Sequence, residues 1–226
     1  MSKTILITGA NGGLGQGVVE YFLKHDYKIV ALVRSGKSLP QHDNLTILES
    51  EIDDDEHVKQ LFQKINNHKI ILDAGLLLAG GFAMKPFLKT NKDDLESMIS
   101  KNFYTSFFIA KHLVQYWRDN KIKGKVIFTG AKPALEKGGE ATTAYSLSKS
   151  ILVKLVEIVN EAVASENISA AMIAPSMIDT PANRKAMPNA NFDNWVKPAE
   201  LAQQMEFIIN DPQVMPEAFI KAYKNS

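Results

Sequence analysis

Short apolar runs alternate with longer segments of helical periodicity along the whole chain, and this alternation limits its fold more than any other feature. Several runs are unbroken, which is typical of parallel strands covered by helices on both faces. Strands are predicted at Thr4–Thr8, Lys28–Val33, Leu45–Glu49, Ile70–Leu78, Lys125–Thr129, Ser169–Ala174 and Ala218–Ala222. Helices are predicted at Gly13–His25, Asp54–Asn66, Asp93–Asp119, Thr143–Ser165 and Pro198–Asn210, with Asp53 or Asp54 capping the second.

The order of these segments predicts an α/β protein with a Rossmann-type, doubly wound parallel sheet of about seven strands and helices on both faces. No repeat, low-complexity tract or linker interrupts the order, so residues 1–226 are expected to form one domain. The segment Pro175–Val196 departs from the alternation because it is long and rich in Pro, Asn and Met. It follows the C-terminal end of a predicted strand, where sheets of this kind bind their ligands.

Composition narrows the class of function. Lys and Arg total 26 against 25 Asp and Glu, so a net charge of +1 gives no general attraction for nucleic acid or an anionic membrane. The absence of cysteine excludes thiolate nucleophiles and Cys-ligated zinc, and the five histidines lack metal-binding spacing with carboxylates. The first apolar run is too short for a signal peptide, and no stretch reaches the roughly 20 apolar residues of a membrane span. We therefore expect a cytoplasmic protein without a metal, nucleic-acid or membrane partner.

A glycine-rich turn, Thr8–Gly15, follows the first predicted strand and opens the first helix. Glycines such as Gly9, Gly13 and Gly15 allow a sharp turn and a close approach of the backbone to a pyrophosphate. The helix N-terminus then presents free N–H groups and the positive end of its dipole to the phosphates. The turn therefore predicts a nucleotide site.

The end of the second predicted strand faces the adenosine ribose of such a nucleotide. An acidic residue there would bind the ribose 2′-OH, whereas an arginine suits a 2′-phosphate. Arg34 therefore favours NADP(H) over NAD(H), with Ser35 and Lys37 as further contacts, unless Arg34 is only a solvated surface charge. Asp53 could accept a hydrogen bond from the adenine amino group or cap a helix.

Tyr145 and Lys149 lie one turn apart on a predicted helix and therefore share a face. A free tyrosine has a pKa of about 10, which makes it a poor proton shuttle at neutral pH. A neighbouring ammonium group favours the phenolate and is expected to lower the pKa of Tyr145, making it usable as a general acid or base.

Over essentially its whole length the chain resembles the short-chain dehydrogenase/reductase family. The matching elements are the Thr8–Gly15 turn, Asp53, Ala79-Gly80, Asn102, Tyr145 with Lys149, and Pro175 to Thr180. The resemblance implies that Tyr145 exchanges the substrate proton, that Lys149 also holds the nicotinamide ribose, and that Asn102 supports a water-linked proton path. It implies cofactor contacts at Thr8, Asn11, Leu14, Ala79, Gly80, Pro175, Ile178 and Thr180. It also implies a homodimer, or a tetramer, paired through the helices Asp93–Asp119 and Thr143–Ser165.

Two positions depart from the family pattern. The family carries a serine near the end of the fifth strand. Counting back from Tyr145 places Lys132 at that position, and aligning the strand places Ala131 there, so neither alignment gives a serine. Thr129 has the nearest hydroxyl group. The Asn-Ala-Gly that follows the fourth strand in the family has Leu78 in place of its asparagine. The missing serine removes one hydrogen bond to a substrate carbonyl.

The dihydropteridine reductase branch of the family tolerates a missing serine. The chain is similar to that branch at Ala79–Phe82, Gly130–Leu135 and above all Asp179–Pro188, and Phe192 and Trp195 continue the match. The quinonoid dihydropterin that those enzymes reduce is an electron-poor ring and needs less carbonyl activation. Those enzymes typically prefer NADH, because they carry an acidic residue at the position of Arg34. The resemblance therefore favours NADH and the positive charge of Arg34 favours NADPH; we follow Arg34 and favour NADPH.

The sequence therefore predicts an NADPH-dependent reductase of a quinonoid dihydropteridine or a similar electron-poor small molecule. Phe82, Met187 and Trp195 could form an apolar wall against the substrate or be ordinary packing residues. One alternative is a carbonyl or quinone reductase in which Thr129 or a water replaces the serine. The other is a non-catalytic NADP(H)-binding sensor, since a fold alone does not establish chemistry.

Overall fold

The computed structural model describes residues 2–34, 36, 39–211 and 218–224. These residues contain one sheet of seven parallel strands, in the order β3-β2-β1-β4-β5-β6-β7. The strands are β1 (Thr4–Thr8), β2 (Lys28–Val33), β3 (Leu45–Glu49), β4 (Ala74–Leu77), β5 (Gly124–Thr129), β6 (Ile168–Pro175) and β7 (Ala218–Ala222). The strand order reverses between β1 and β4, and their C-terminal ends flank the crevice in which such sheets bind ligands. The predicted Rossmann-type sheet is confirmed.

Helices cover both faces of this sheet. They are α1 (Gly13–Lys24), α2 (Asp55–Asn67), α3 (Lys92–Ile99), α4 (Thr105–Asn120), α5 (Lys132–Leu135), α6 (Thr143–Ala162), α7 (Pro181–Ala186) and α8 (Pro198–Asn210). One apolar core joins α2, α4 and α6 to the sheet, and a second joins α1 and α8 to it. Leu6 belongs to the first core and its neighbours Ile5 and Ile7 to the second, because successive strand residues point to opposite faces. In the described part of the chain, no helix is long and apolar enough to cross a membrane.

The predicted strand Ile70–Leu78 is shorter than expected, because only Ala74–Leu77 pairs with other strands. The backbone before it bonds instead to aromatic side chains of α4. Tyr116 Oη donates to the Ile70 carbonyl at 2.6 Å, and Trp117 Nε1 donates to the Leu72 carbonyl at 2.8 Å. An apolar run indicates burial but does not show which partner takes its backbone hydrogen bonds.

The single helix predicted over Asp93–Asp119 is interrupted, and this difference bears on function. A π-helical turn at Ser100–Tyr104 separates α3 from α4. The Asn102 carbonyl, within this wide turn, accepts a hydrogen bond from Ser106 Oγ at 3.0 Å. Such π-turns often occur at functional sites.

Other predicted boundaries change less. The helix predicted to reach Ser165 ends at Ala162, and the segment Pro175–Val196 contains α7. The cap of α2 is Asp54, whose side chain accepts hydrogen bonds from the Glu56 and His57 amides. Asp53 accepts a hydrogen bond from Ser100 Oγ at 3.3 Å and is not the cap.

Candidate active site

The N-terminus of α1 has backbone amides without a side-chain acceptor. Its N-cap is Gly12, which makes no side-chain cap hydrogen bond, and its first turn holds no acidic residue. In contrast, side-chain oxygens of Asp54, Asn91 and Thr180 cap α2, α3 and α7. The free amides and the helix dipole at α1 can therefore bind an anion such as a phosphate.

The turn before α1 is packed so closely that it needs glycines. Gly9 has a positive φ of 62°, and a Cβ there would lie 2.9 Å from the Ala79 backbone. A Cβ at Gly15 would overlap the Gly9 carbonyl oxygen. A Cβ at Gly13 would lie 2.9 Å from Thr180 Cβ, so the turn also touches the segment after β6. The absence of side chains leaves room for a ligand's phosphates against the backbone.

The turn is tied to the loop after β4, across the point where the strand order reverses. Thr8 is buried, and its Oγ1 accepts a hydrogen bond from the Ala79 amide at 3.0 Å. A Cβ at the next residue, Gly80, would lie 2.5 Å from Asn102 Oδ1 and 3.4 Å from Lys149 Nζ. The structure thus brings the turn, Ala79-Gly80, Asn102 and Lys149 together. Leu14 and Asn11 are half-buried on the same turn.

Lys149 is 5% exposed, and its Nζ donates to the Thr129 carbonyl at 2.8 Å. Burial lowers the pKa of Lys149 to about 8. Burial also raises the pKa of the Tyr145 hydroxyl to about 12, so the lowering expected from a neighbouring ammonium is not observed. The physical reason is that removal from water disfavours both charged forms, the phenolate and the ammonium. Tyr145 is therefore a protonated phenol at neutral pH, and the raised pKa makes it a weaker acid than a free tyrosine.

The Asn102 side chain is fully buried in the π-turn. Its Oδ1 accepts from the Gly81 amide at 2.9 Å. Its Nδ2 donates to the Gly81 carbonyl at 3.1 Å and to Ser148 Oγ at 2.9 Å. Asn102 therefore joins the loop after β4 to the helix that carries Tyr145 and Lys149.

The hydroxyl of Thr129 does not take the place of the missing serine. Its Oγ1 is buried and has no hydrogen-bond partner among the described residues. Ile127, two residues earlier on β5, packs in the core of α1 and α8, so by strand alternation Thr129 points to that face, away from α6. The part of Thr129 that contacts the site is its backbone carbonyl, which accepts the hydrogen bond from Lys149 Nζ. Ala131 is buried at the start of α5, and the Lys132 ammonium lies 5.5 Å from the Tyr223 ring centroid.

The segment after β6 is held in place at both ends. A bridge pairs Ile178 with Val196, and Thr180 caps α7 above Gly13. Within the segment, Arg184 makes two bonds to the Asp179 carboxylate, at 2.6 and 2.8 Å. Pro175, the last residue of β6, is buried beneath it. Thr180 and the phosphate turn are thus in contact, as one cofactor site would require.

The three apolar residues predicted near the substrate separate in the structure. The Phe82 ring is 61% exposed and packs edge-on against the Tyr145 ring, with centroids 5.0 Å apart. Trp195 is 4% exposed and packs on Phe192, whose other neighbour is the Arg184 guanidinium. Trp195 therefore packs within the segment after β6 in this structure. Met187 is half-buried just after α7.

The residues predicted at the adenosine end lie at the ends of β2 and β3. Arg34 is exposed directly after β2, and no ion pair holds it in the described part of the chain. The Ala10 amide, in the phosphate turn, donates a hydrogen bond to the Leu32 carbonyl at 3.4 Å. Arg34 is therefore only two residues beyond the point where β2 contacts this turn. Asp53 is exposed beyond β3. Ser35 and Lys37, the further predicted contacts, lie outside the described residues.

Two structural contributors were not predicted. Ser148 lies between Tyr145 and Lys149 in sequence, but its partner Asn102 is 46 residues away. The second is the Asp179–Arg184 pair, for which opposite charges five residues apart were the available signal.

Comparisons with known proteins agree with this geometry. The model of the short chain dehydrogenase family matches residues 3–191. A dihydropteridine reductase from Dictyostelium discoideum is 30% identical over 216 residues, which cover 91% of this chain and 87% of that protein. Carbonyl reductase family member 4 from Danio rerio is 26% identical over 228 residues, which cover 95% of this chain and 94% of that protein.

Solved structures show the same fold. ElxO with NADP bound has a TM-score of 0.88 at 20% identity, covering 99% of this chain and 97% of that one. 4-Hydroxyisoleucine dehydrogenase complexed with NADH has a TM-score of 0.88 at 22% identity, covering 99% and 98%. With the family match spanning most of its length, the chain belongs to the short chain dehydrogenase family of oxidoreductases.

Proposed function

We propose that this protein is an NADPH-dependent reductase of electron-poor ring substrates, with a quinonoid dihydropteridine as the leading candidate. The observation that carries the proposal is the exposed ring of Phe82 packed edge-on against the half-buried Tyr145, one helical turn before the buried Lys149. The Dictyostelium discoideum dihydropteridine reductase supports this substrate class.

The described residues fit a nicotinamide dinucleotide. The uncapped N-terminus of α1 and the glycines of the Thr8–Gly15 turn would hold its pyrophosphate. The ribose and nicotinamide would lie along Ala79-Gly80, Lys149 and the segment from Pro175 through Ile178 to Thr180. When bound in its reduced form, the cofactor supplies a hydride.

The protein's own residues supply and control the proton. Tyr145, a protonated phenol at neutral pH, donates it as negative charge develops on the substrate ring during hydride transfer. Lys149, anchored on the Thr129 carbonyl, has its ammonium directed by that bond toward Gly80 and the ribose position. The substrate ring gains one hydride and one proton, a two-electron reduction, and Tyr145 regains its proton from solvent.

The missing serine favours an already polarised substrate. Ordinary ketone reduction in this family uses a second hydroxyl to orient the carbonyl, and the Thr129 hydroxyl faces the other side of the sheet. A quinonoid ring carries its electron deficiency before it binds, so a single proton donor is enough. This geometry weighs against the carbonyl reductase alternative, and the presence of Tyr145, Lys149 and Asn102 weighs against a sensor.

The assembly that we propose is a homodimer paired through α4 and α6. Leu147, Ile151 and Ile158 are 52%, 38% and 49% exposed, and their spacing places them on one stripe of α6. Tyr104, at the end of the π-turn before α4, is 43% exposed. A second copy of the chain would bury both surfaces.

The test is steady-state oxidation of NADPH and NADH, followed by nicotinamide absorbance, with quinonoid dihydropterin and a panel of ketones and quinones as acceptors. We expect fast turnover with the dihydropterin and a fall in kcat of at least about a hundredfold in Tyr145→Phe, because the proton donor is lost. Turnover confined to simple ketones would contradict the proposed substrate. Tight NADPH binding without turnover on any acceptor would favour the sensor.

Arg34→Asp tests the cofactor preference. The guanidinium would pair with the 2′-phosphate of NADPH, whereas a carboxylate repels that phosphate and can accept from a ribose 2′-OH. We expect kcat/KM for NADPH to fall about tenfold to a hundredfold, with kcat/KM for NADH unchanged or raised. Wild-type protein that prefers NADH would show that Arg34 is a solvated charge.

A further inference from the structure

Ser148 is a fully buried serine on α6, and its hydroxyl makes two hydrogen bonds of different kinds. Its Oγ donates to the Tyr145 carbonyl at 2.7 Å. The same oxygen lies 2.9 Å from Asn102 Nδ2. Ser148 therefore connects the helical turn of Tyr145 to the π-turn of Asn102.

The single hydroxyl proton determines the direction of the second bond. Because it is used on the Tyr145 carbonyl, Ser148 Oγ can only accept from Asn102. The amide nitrogen of Asn102 therefore faces Ser148 and the Gly81 carbonyl, and its oxygen faces the Gly81 amide. Every one of these groups is paired, so the orientation of the amide is unambiguous.

The loop held by this chain of bonds is the one that passes the catalytic lysine. A Cβ at Gly80 would lie 2.5 Å from Asn102 Oδ1 and 3.4 Å from Lys149 Nζ, so this loop lies close to both side chains. Movement of α6 relative to Asn102 would therefore change the distance between the loop after β4 and both Lys149 and Tyr145.

We propose that Ser148 is a positioning residue that holds Tyr145 and Lys149 in register with the Gly80-Gly81 loop through Asn102. The proposal rests on the proposed function, since it assigns a catalytic role to the pair that is positioned. Ser148 itself is fully buried and acts through Asn102.

The test compares Ser148→Ala with Ser150→Ala in the full chain. Ser150 is a matched control because its Oγ also donates to a carbonyl of α6, that of Ser146 at 2.9 Å, and no bond to Asn102 is involved. Hydrogen exchange measured by mass spectrometry should become at least about tenfold faster over residues 78–84 in Ser148→Ala and stay unchanged in Ser150→Ala. Those residues are distant in sequence from the substitution, so a local weakening of α6 would not produce this result.

Kinetics test the consequence. In Ser148→Ala we expect kcat with the dihydropterin to fall about tenfold to a hundredfold, because misplaced catalytic groups affect the chemical step most, whereas Ser150→Ala should keep its kcat. Unchanged exchange over residues 78–84, or faster exchange with unchanged kcat, would overturn the proposal. Wild-type protein inactive on every acceptor would overturn the proposed function, while the exchange measurement would still decide whether Ser148 holds the loop.

Discussion

Burying a lysine ammonium group away from water costs folding free energy, and Lys149 is buried in this way. Its only hydrogen bond among the described residues is to the Thr129 carbonyl, and burial lowers its pKa from 10.5 to about 8. Lys149 Nζ lies beside Gly80, 3.4 Å from where a Cβ at that position would be, and under the proposed function this is where the cofactor ribose would bind. Residues that reduce stability at a site are commonly kept for function.

Lys149→Met should therefore stabilise the protein at pH 7. The buried ammonium costs about 3 kcal/mol there, and the lost bond to the Thr129 carbonyl offsets about 1 kcal/mol of the gain. We expect the melting temperature to rise by about 4–8 °C while turnover is lost. A lower melting temperature than that of the wild type would mean that the hydrogen bond outweighs the burial of charge.

The same variant has a pH dependence of known sign. The folded wild type releases the Lys149 proton near pH 8, and the unfolded chain keeps it until about pH 10.5. Wild-type stability should therefore rise with pH across this interval, and the advantage of Lys149→Met should disappear as pH increases. Thermal unfolding at pH 7, 9 and 10.5 measures both.

At the scale of elements, the site depends on two interruptions of regular structure. The first is the π-turn at Ser100–Tyr104, which interrupts the α-helical hydrogen bonding between α3 and α4 and contains the fully buried Asn102. The segment after β6 is closed by the Ile178–Val196 bridge and stiffened by the Asp179–Arg184 pair, and the guanidinium lowers the pKa of the Asp179 carboxyl. Both interruptions place side chains at the C-terminal ends of the strands.

At the scale of the whole molecule, the exposed apolar stripe of α6 tests the proposed assembly. A charge at Ile158 is well solvated in a monomer but costly in a buried interface. We expect Ile158→Glu to halve the mass measured by analytical ultracentrifugation. Phe207→Glu, on α8, is the matched control because Phe207 is 62% exposed on the other side of the sheet, and it should leave the dimer intact. A wild type that sediments as a monomer at micromolar concentration contradicts the proposal.

The sequence by itself determined the parallel sheet, the glycine turn and the sharing of one helical face by Tyr145 and Lys149. These features depend on neighbours in the chain, through strand burial, glycine backbone freedom and helical spacing. The positions of Thr8, Ala79 and Asn102 also match the family resemblance, and the structure brings them together.

Only the tertiary structure decided which groups meet and in what surroundings. It directed the Thr129 hydroxyl away from α6 and packed the buried Trp195 ring against Phe192. It paired Ser148 with Asn102, and it raised the pKa of Tyr145 where helical spacing alone predicted a lower one. Hydrogen-bond partners far apart in sequence and the removal of water from a buried group arise only when the elements pack, so no local pattern carries them.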